Sequence, residues 1–187
     1  MTKHTVNGLF DDHAAAVAAV ERLKAAGIDE SDISILANRP GVDKNEVVDD
    51  AADGAGIGAA LGAGGGLLTG LGILAVPGLG PIVAGGWLAA TAVGALAGGA
   101  AGGAVGGIVG AMKDSGVDEA DANAYAEGVR RGGTLVSVRA TNEEEVAVRD
   151  ILAGRVDIAE RRATYETEGW SRFDENAPPY RRGDTVI

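Results

Sequence analysis

The longest charge-free stretch of this sequence lies at residues 54–112 and reads GAGIGAALGAGGGLLTGLGILAVPGLGPIVAGGWLAATAVGALAGGAAGGAVGGIVGAM. Glycine recurs at every fourth position in two separate ladders within it. Their members are Gly54, Gly58, Gly62, Gly66 and Gly70, followed by Gly94, Gly98, Gly102, Gly106 and Gly110. Because residues four apart share one face of a helix, each ladder predicts a stripe without side chains against which a second helix packs closely.

Between the ladders, prolines and glycines that cannot continue a helix predict a reversal of the chain. These turn residues are Pro77, Gly78, Gly80 and Pro81. The turn separates two helical arms, at 54–75 and 82–112, of roughly 33 and 46 Å at 1.5 Å per residue. A hydrocarbon layer is about 30 Å thick. The stretch therefore predicts an αα-hairpin, each arm of which is long enough to cross a membrane.

Helices so rich in glycine need a covering partner, because glycine costs about 1 kcal/mol relative to alanine in an exposed helix. A bilayer supplies that cover, and so does a soluble homo-oligomer with buried hairpins. The absence of charge favours the membrane, whereas the acidic flank at Asp49, Asp50 and Asp53 gives no positive-inside signal. Both interpretations remain open, and in both the protein associates with itself.

The N-terminal flank of the stretch has the pattern strand, helix, strand. Strands are predicted at 5–10 and 33–37, where β-favouring residues occur. The helix between them is capped by Asp11 and ends at Gly27.

The C-terminal flank repeats that pattern. A strand at 135–140 leads to a helix that Thr141 and Glu144 open as a capping box, and a strand at 156–165 closes the unit. The order β-α-β-β-α-β predicts an α+β fold, a ferredoxin-like sheet with both helices on one face, split by the long apolar Gly/Ala-rich αα-hairpin.

These predicted elements divide the chain into five parts. They are a discontinuous ferredoxin-like domain at 1–40 and 130–166, an acidic approach at 41–53, the hairpin at 54–112, a short helix at 113–131 capped by Asp118, and an extended or disordered tail at 167–187. The tail carries three aromatic residues, Trp170, Phe173 and Tyr180. They either dock a protein partner or pack back on the domain's own sheet.

The charge balance argues against several classes of partner. The chain has 16 basic and 27 acidic side chains, a formal net charge of −11, and no cysteine. Phosphate backbones would be repelled, so nucleic acid is not an expected partner. Without cysteine there are no thiolate metal sites or cysteine nucleophiles. The first residues lack the apolar segment of a secretory signal, so a cytoplasmic origin is expected.

No group of residues predicts catalysis. The acidic runs Asp11-Asp12-His13 and Glu143-Glu144-Glu145 lie at predicted helix N-termini, where negative charge is favourable. The run 62–66 is glycine-rich like a phosphate-binding loop, but no Lys-Ser/Thr follows it. We expect a protein without enzymatic activity, metal or cofactor.

Two segments of the sheet domain resemble one bacterial family. Thr5-Val6-Asn7-Gly8-Leu9-Phe10-Asp11 and Arg130-Arg131-Gly132-Gly133-Thr134-Leu135-Val136-Ser137-Val138, on either side of a glycine-rich insert, look like the general stress or heat-induced stress proteins. The resemblance covers residues 3–165. It implies a non-enzymatic role in stress responses and carries over no catalytic residue.

Three functions therefore remain as expectations. The first is a membrane-associated, self-associating stress protein whose sheet domain lies in the cytoplasm. The second is a cytoplasmic homo-oligomer that buries its hairpins. The third is a small-ligand sensor on the uncovered face of the sheet, unless the helix at 113–131 covers that face.

Overall fold

The computed structural model describes residues 3–38, 72–76, 80–89, 91 and 107–174. They form an α+β structure around an antiparallel sheet with the strand order β1-β5-β2-β4-β3. The strands are β1 (Lys3–Phe10), β2 (Ile33–Asn38), β3 (Gly72–Val76), β4 (Gly80–Gly86) and β5 (Thr134–Thr141). The helices are α1 (His13–Ala25), α2 (Ile108–Asp114), α3 (Glu119–Arg130), α4 (Glu145–Ile151) and α5 (Ile158–Thr167). The α+β class is confirmed.

Helix α1 forms where the sequence predicts it, but one residue later at its start. Asp12, not Asp11, is the cap, and its carboxylate accepts a hydrogen bond from the Ala14 N–H at 3.0 Å. Gly27, at φ +87°, follows the last turn in the left-handed conformation that favours glycine. The Asp11 carboxylate instead pairs with Arg161 at 2.6 Å.

Helices α1 and α4 cover one face of the sheet. Apolar side chains on that face alternate along each strand, as for Val136 and Val138 of β5, and pack against Leu23 of α1 and Val148 of α4. The predicted placement of these two helices on one face agrees with this core.

Helices α2 and α3 cover the opposite face. Leu9, Leu36 and Leu135 of the sheet pack there against Met112 of α2 and Val129 of α3. The uncovered sheet face on which a ligand sensor was expected is therefore occupied by the protein's own helices.

The predicted αα-hairpin is wrong at its centre. Residues 72–76 and 80–86 are strands, and Val76 is paired with Gly80. The chain therefore reverses where Pro77 to Pro81 predict a turn, but the turn joins two strands and not two helices. Strand β4 pairs with β2 from Asn38↔Ile82 to Ser34↔Gly86. The backbone groups of the apolar segment are thus hydrogen-bonded to a neighbouring strand and not within a helix. Local helix propensity yields to pairing with an existing sheet edge.

Other parts of the predicted hairpin have different outcomes. Residues 87–89 and 91 have helical backbone conformation, and α2 begins at Ile108. Gly110 lies in α2, whereas the other ladder glycines, and Pro77 and Gly78 of the turn, lie outside the described residues. Within the described ranges, no helix combines the length and apolar character required to cross a bilayer.

The predicted strand at 156–165 is also wrong. Only Val156 forms a bridge, to Leu9, and the chain then enters α5. Asp157 caps that helix by accepting hydrogen bonds from the N–H groups of Ala159 and Glu160, at 2.9 and 3.1 Å. A strong N-cap before a run of good helix formers outweighs pairing with β1. The fourth strand of the predicted β-α-β-β-α-β order therefore does not form.

The caps predicted for two other helices are present in whole or in part, although α4 begins at Glu145 and not directly after Thr141. Asp118 caps α3 by accepting from the Ala120 N–H at 2.9 Å. The Glu144 carboxylate accepts from the Thr141 N–H at 2.9 Å, which is the reciprocal half of the predicted capping box. The segment 167–187, predicted to be an extended or disordered tail, folds back on the domain as far as Asp174, and Phe173 packs against the core. Residues 41–53 and 175–187 lie outside the described residues.

Gly86 is required where β4 passes β2. Its φ is +88°, and a Cβ there would overlap the Ile33 carbonyl oxygen and lie 2.7 Å from the Ser34 Cα. We expect Gly86→Ala to destabilise the fold by about 1–3 kcal/mol for the overlap, added to about 1–2 kcal/mol for the left-handed conformation.

Gly116→Ala is the matched control, since Gly116 has φ +90° and open space around its Cβ position. Gly116→Ala should lose only the stability that the left-handed conformation costs, and not the part that the overlap costs. Urea unfolding of both variants, followed by circular dichroism, measures the difference. Equal losses of stability would show that the Gly86 contact is unimportant.

Candidate functional site

A cleft of about 370 Å³ opens beside β1, at the edge of the sheet where the predicted fourth strand is missing. We call it the edge cleft. Its floor is β1 at residues 5–7, one wall is the start of α3 with the turn before it, and the other wall includes residues 155–159. Pockets of roughly 300–1,000 Å³ are typical ligand sites.

The floor of the edge cleft is an open strand edge. The Leu9 carbonyl faces away from β5, because it accepts a hydrogen bond from the Val156 N–H at 2.7 Å. Backbone groups of alternate residues point the same way, so those of Asn7 and Thr5 also face outward. Among the described residues, the Leu9 to Val156 bridge is the one pairing on this side of β1.

The three carboxylates of the edge cleft already have partners within the protein. Asp118 and Asp157 each cap a helix, and Asp121 pairs with Arg162 at 2.7 Å. On the opposite wall, the Arg155 guanidinium donates to the carbonyls of Arg149 and Leu152, both at 3.2 Å. The cleft is polar, but most of its charged side chains form hydrogen bonds or ion pairs with the residues of its own walls.

Tyr125 is the most perturbed titratable group of the edge cleft. Its side chain is 7% exposed, and burial, helped by the negative charges of Asp121 and Asp157, raises the pKa of its hydroxyl to about 12. The phenol is protonated at neutral pH, as an ordinary tyrosine is, and the shift keeps it protonated further into the alkaline range.

A buried polar row holds the floor of the cleft in place. Asn7, Ser137 and Ser34 are paired in register across three strands. The Ser137 hydroxyl donates to Asn7 Oδ1 and the Ser34 hydroxyl donates to the Gly85 carbonyl, both at 2.6 Å. Buried hydroxyls with such partners stabilise one register of the strands.

A second recess, of about 400 Å³, lies between α3, α5 and residues 170–172. We call it the α3–α5 groove. It shares Asp118 with the edge cleft, and Trp170 and Arg172 lie on its other side. The two recesses thus meet at the start of α3.

A buried ion cluster lies at the C-terminal end of α3. The Glu127 side chain is 1% exposed and accepts from Arg130 and Arg131, each at 2.6 Å. Arg131 also pairs with Glu168 and lies 4.1 Å from the centre of the Tyr165 ring. This cluster ties the end of α3 to the end of α5 and has a structural role, because a buried charge requires a partner.

The candidate residues from the sequence are mostly explained by local structure. His13 Nδ1 lies 3.1 Å from the Thr134 hydroxyl, and Glu145 pairs with Arg149 at 2.6 Å. Arg161 and Arg162, which fall within the strand predicted at 156–165, lie on α5 and form ion pairs instead. In the described part of the chain, no group of three metal-ligating side chains occurs.

Two of the three tail aromatics contact the protein's own helices. The Trp170 ring stands edge-on to the Tyr165 ring, with 5.7 Å between centroids. Phe173 packs against the core cluster on the α2–α3 face, and its N–H donates to Asn123 Oδ1 at 3.3 Å. Tyr180 lies outside the described residues. Docking of a protein partner by this tail stays a prediction.

Comparisons with protein-family models, with curated proteins and with solved structures give no match to this chain. The resemblance to bacterial stress proteins therefore stays a prediction based on the residues quoted above.

Sequence reasoning missed the edge cleft, although two signals pointed to it. Asn7 is a polar residue in the middle of the strand predicted at 5–10. Asp157, a residue type that favours helix N-caps, is the second residue of the strand predicted at 156–165. The first indicates a polar partner within the sheet, and the second indicates that the predicted strand is too short. Neither signal places Tyr125 beside them, because that depends on how α3 packs.

The raised pKa of Tyr125 makes stability depend on pH in the alkaline range. An unfolded tyrosine titrates near 10, so the folded state holds this proton more tightly. The resulting stability is fully present below pH 10 and is lost as the pH rises to 12, at up to about 1.4 kcal/mol per pH unit. We expect Tyr125→Phe to reduce this loss.

Urea unfolding at pH 8, 10 and 11 measures the effect in both proteins. Part of the slope remains in the variant, because burial also raises the pKa of Tyr165. An unchanged slope in Tyr125→Phe would show that this hydroxyl is not buried in solution.

Proposed function

We propose that this protein is a non-enzymatic bacterial stress-response protein that self-associates through the stretch 54–112 and associates with a membrane through it. The carrying observation is the pair of glycine ladders in one charge-free stretch. Such stripes allow close packing of helix backbones from neighbouring copies. The stress-response part of the proposal rests on the residues of β1 and β5 that resemble the stress-protein family.

The position of β3 supports self-association. Strands β3 and β4 both come from the charge-free stretch, and β3 is the last strand of the sheet among the described residues. Its sequence, Gly-Ile-Leu-Ala-Val, has neither charge nor proline. Edge strands of that kind pair readily with a strand of another molecule, because nothing on them discourages it. A second copy would extend the sheet on this side.

A soluble homo-oligomer is the second candidate, and the packing of α2 favours it. Ile108, Ala111 and Met112, which the sequence placed at the end of a membrane-crossing arm, are buried in the domain core. The ladder segments outside the described residues, 54–71 and 92–106, would span about 27 and 22 Å as helices, less than the ~30 Å of a hydrocarbon layer. Both candidates require the same self-association.

Replacement of a ladder glycine by a bulky residue tests the self-association. We expect Gly62→Leu with Gly102→Leu to reduce the assembly to smaller species, because leucine side chains separate the helix backbones. Size-exclusion chromatography with light scattering measures the mass. Ala60→Leu with Ala104→Leu, off these two ladders, is the matched control and should keep the assembly. An unchanged mass in the glycine variant would contradict the proposal.

Fractionation separates the two settings of the assembly. Cells expressing the full chain are lysed, and their membranes are washed with carbonate at high pH. A membrane-associated assembly stays in the washed pellet and is released by detergent, because its apolar surface is in contact with lipid. A protein found entirely in the supernatant, with its assembled mass intact, would favour the soluble homo-oligomer.

A further inference from the structure

The guanidinium of Arg155 lines the edge cleft and has no carboxylate partner among the described residues. Its Nη1 donates to the carbonyls of Arg149 and Leu152, both at 3.2 Å, and these acceptors are neutral. Within the described chain, no hydrogen bond uses its Nε or Nη2, and neither atom is fully buried. These two nitrogens form the side of a guanidinium that holds a carboxylate through two parallel hydrogen bonds.

Packing fixes the position of this guanidinium. A Cβ on Gly8 of β1 would lie 3.2 Å from the Arg155 Cβ and 3.5 Å from its Cδ, so the stem of the side chain lies against this strand. The two carbonyls that bind Nη1 fix the other end of the side chain. A guanidinium held at both ends loses little conformational freedom when it binds a ligand, and this favours affinity.

The hydroxyl of Tyr125 is a second polar group of the edge cleft without a partner in the described chain. The Tyr125 side chain is only 7% exposed, yet its hydroxyl oxygen is not fully buried, so the hydroxyl reaches the cleft. Burial is the main cause of its raised pKa, and of the nearby charges Asp121 raises that pKa whereas Arg155 lowers it. The hydroxyl and the guanidinium are therefore within electrostatic reach of each other, and a protonated phenol can donate to an anion.

The acidic side chains of the edge cleft leave room for one negative charge. Asp118 and Asp157 accept N–H groups at the starts of helices, where negative charge is favourable, and Asp121 pairs with Arg162. These charges are met within the protein, whereas the charge of Arg155 is met by carbonyls alone. A ligand with two negative charges would still be repelled more strongly by the three carboxylates than a monoanion.

Apolar side chains complete the edge cleft. Val117, Val156 and Ile158 are partly buried against the core on the α2–α3 face and also line the cleft. The volume of about 370 Å³ lies within the range that is typical of small-ligand sites. The uncharged part of a ligand that fits here is therefore small and apolar.

We propose that the edge cleft binds a small monocarboxylic acid. Nε and Nη2 of Arg155 hold its carboxylate, the Tyr125 hydroxyl donates to the same group, and its apolar part lies against Val117, Val156 and Ile158. The bound acid bridges α3 to the segment before α5. None of these residues belongs to the stretch 54–112, so this binding does not depend on the proposed self-association.

Titration of the full ¹⁵N-labelled chain, followed by nuclear magnetic resonance, tests the proposal. The probes are sodium benzoate, sodium hexanoate and inorganic phosphate, each against sodium chloride at equal ionic strength and neutral pH. We expect saturable shifts of the Arg155 Nε–H signal with at least one of the two acids. Phosphate should bind at least about tenfold more weakly, because of its second negative charge.

Replacement of Arg155 measures the role of the guanidinium. We expect Arg155→Gln to weaken binding of the acid about 10- to 100-fold, because a pair of charge-assisted hydrogen bonds is lost. Arg22→Gln is the matched control, since Arg22 also donates to a carbonyl at the end of α4, that of Ile151 at 3.2 Å, and lies outside the cleft. Its affinity should be unchanged. Arg155→Lys keeps the charge without the planar fork and should show an intermediate loss, also if the glutamine variant does not fold.

Replacement of Tyr125 measures the role of the phenol. Tyr125→Phe should weaken binding about 3- to 10-fold, because one neutral donor is lost. Tyr165→Phe removes a buried phenol outside the cleft, on a side chain that is 3% exposed, and should leave the affinity unchanged. Circular dichroism verifies that each variant is folded.

Three results would overturn the proposal. The first is the absence of saturable binding with both acids. The second is an equal loss of affinity in each variant and its matched control, which would place the binding elsewhere. The third is binding of phosphate as tight as that of the acids, which would show a general anion site and not a carboxylate site.

Discussion

The pairing of β5 with β1 on one side and with β2 on the other holds the rest of the structure in place. Strand β5 is buried along most of its length, with Val136 and Val138 toward one helical layer and Leu135 toward the other. Buried backbone groups must be hydrogen-bonded, and a strand covered on both faces meets that need only between two neighbours. Both helical layers pack on the surfaces that this three-stranded ladder creates.

Close approach of α3 to the sheet follows from glycine at two points. A Cβ on Gly128 would overlap the Leu9 side chain, and one on Gly133 would lie 2.9 Å from the Gly128 carbonyl oxygen. Small residues on α3 therefore let it lie against β1, and its first turn then forms a wall of the edge cleft. The shape of that cleft depends on backbone packing more than on its own polar residues.

Among the described strands, the two outer ones, β1 and β3, differ in chemistry because they come from different parts of the sequence. The β1 edge adjoins polar and charged side chains, including Asp118, Asp121 and Arg155. The β3 edge comes from a stretch without charge. Polar and charged side chains beside a strand edge restrict which strands can pair with it, whereas an apolar edge pairs with any compatible strand.

The sequence by itself determined the local features of this protein. Helix caps at Asp118 and Thr141-Glu144, the end of α1 at Gly27 and the reversal near Pro77 to Pro81 depend on a few neighbouring residues, so they can be read without a fold. Only the tertiary structure decided that residues 72–76 and 80–86 are strands, that 158–167 are a helix, and that Tyr125 and Asn7 line one cleft. Those outcomes depend on which backbone groups find partners far along the chain, and short apolar or charged runs are compatible with either helix or strand until such partners are present.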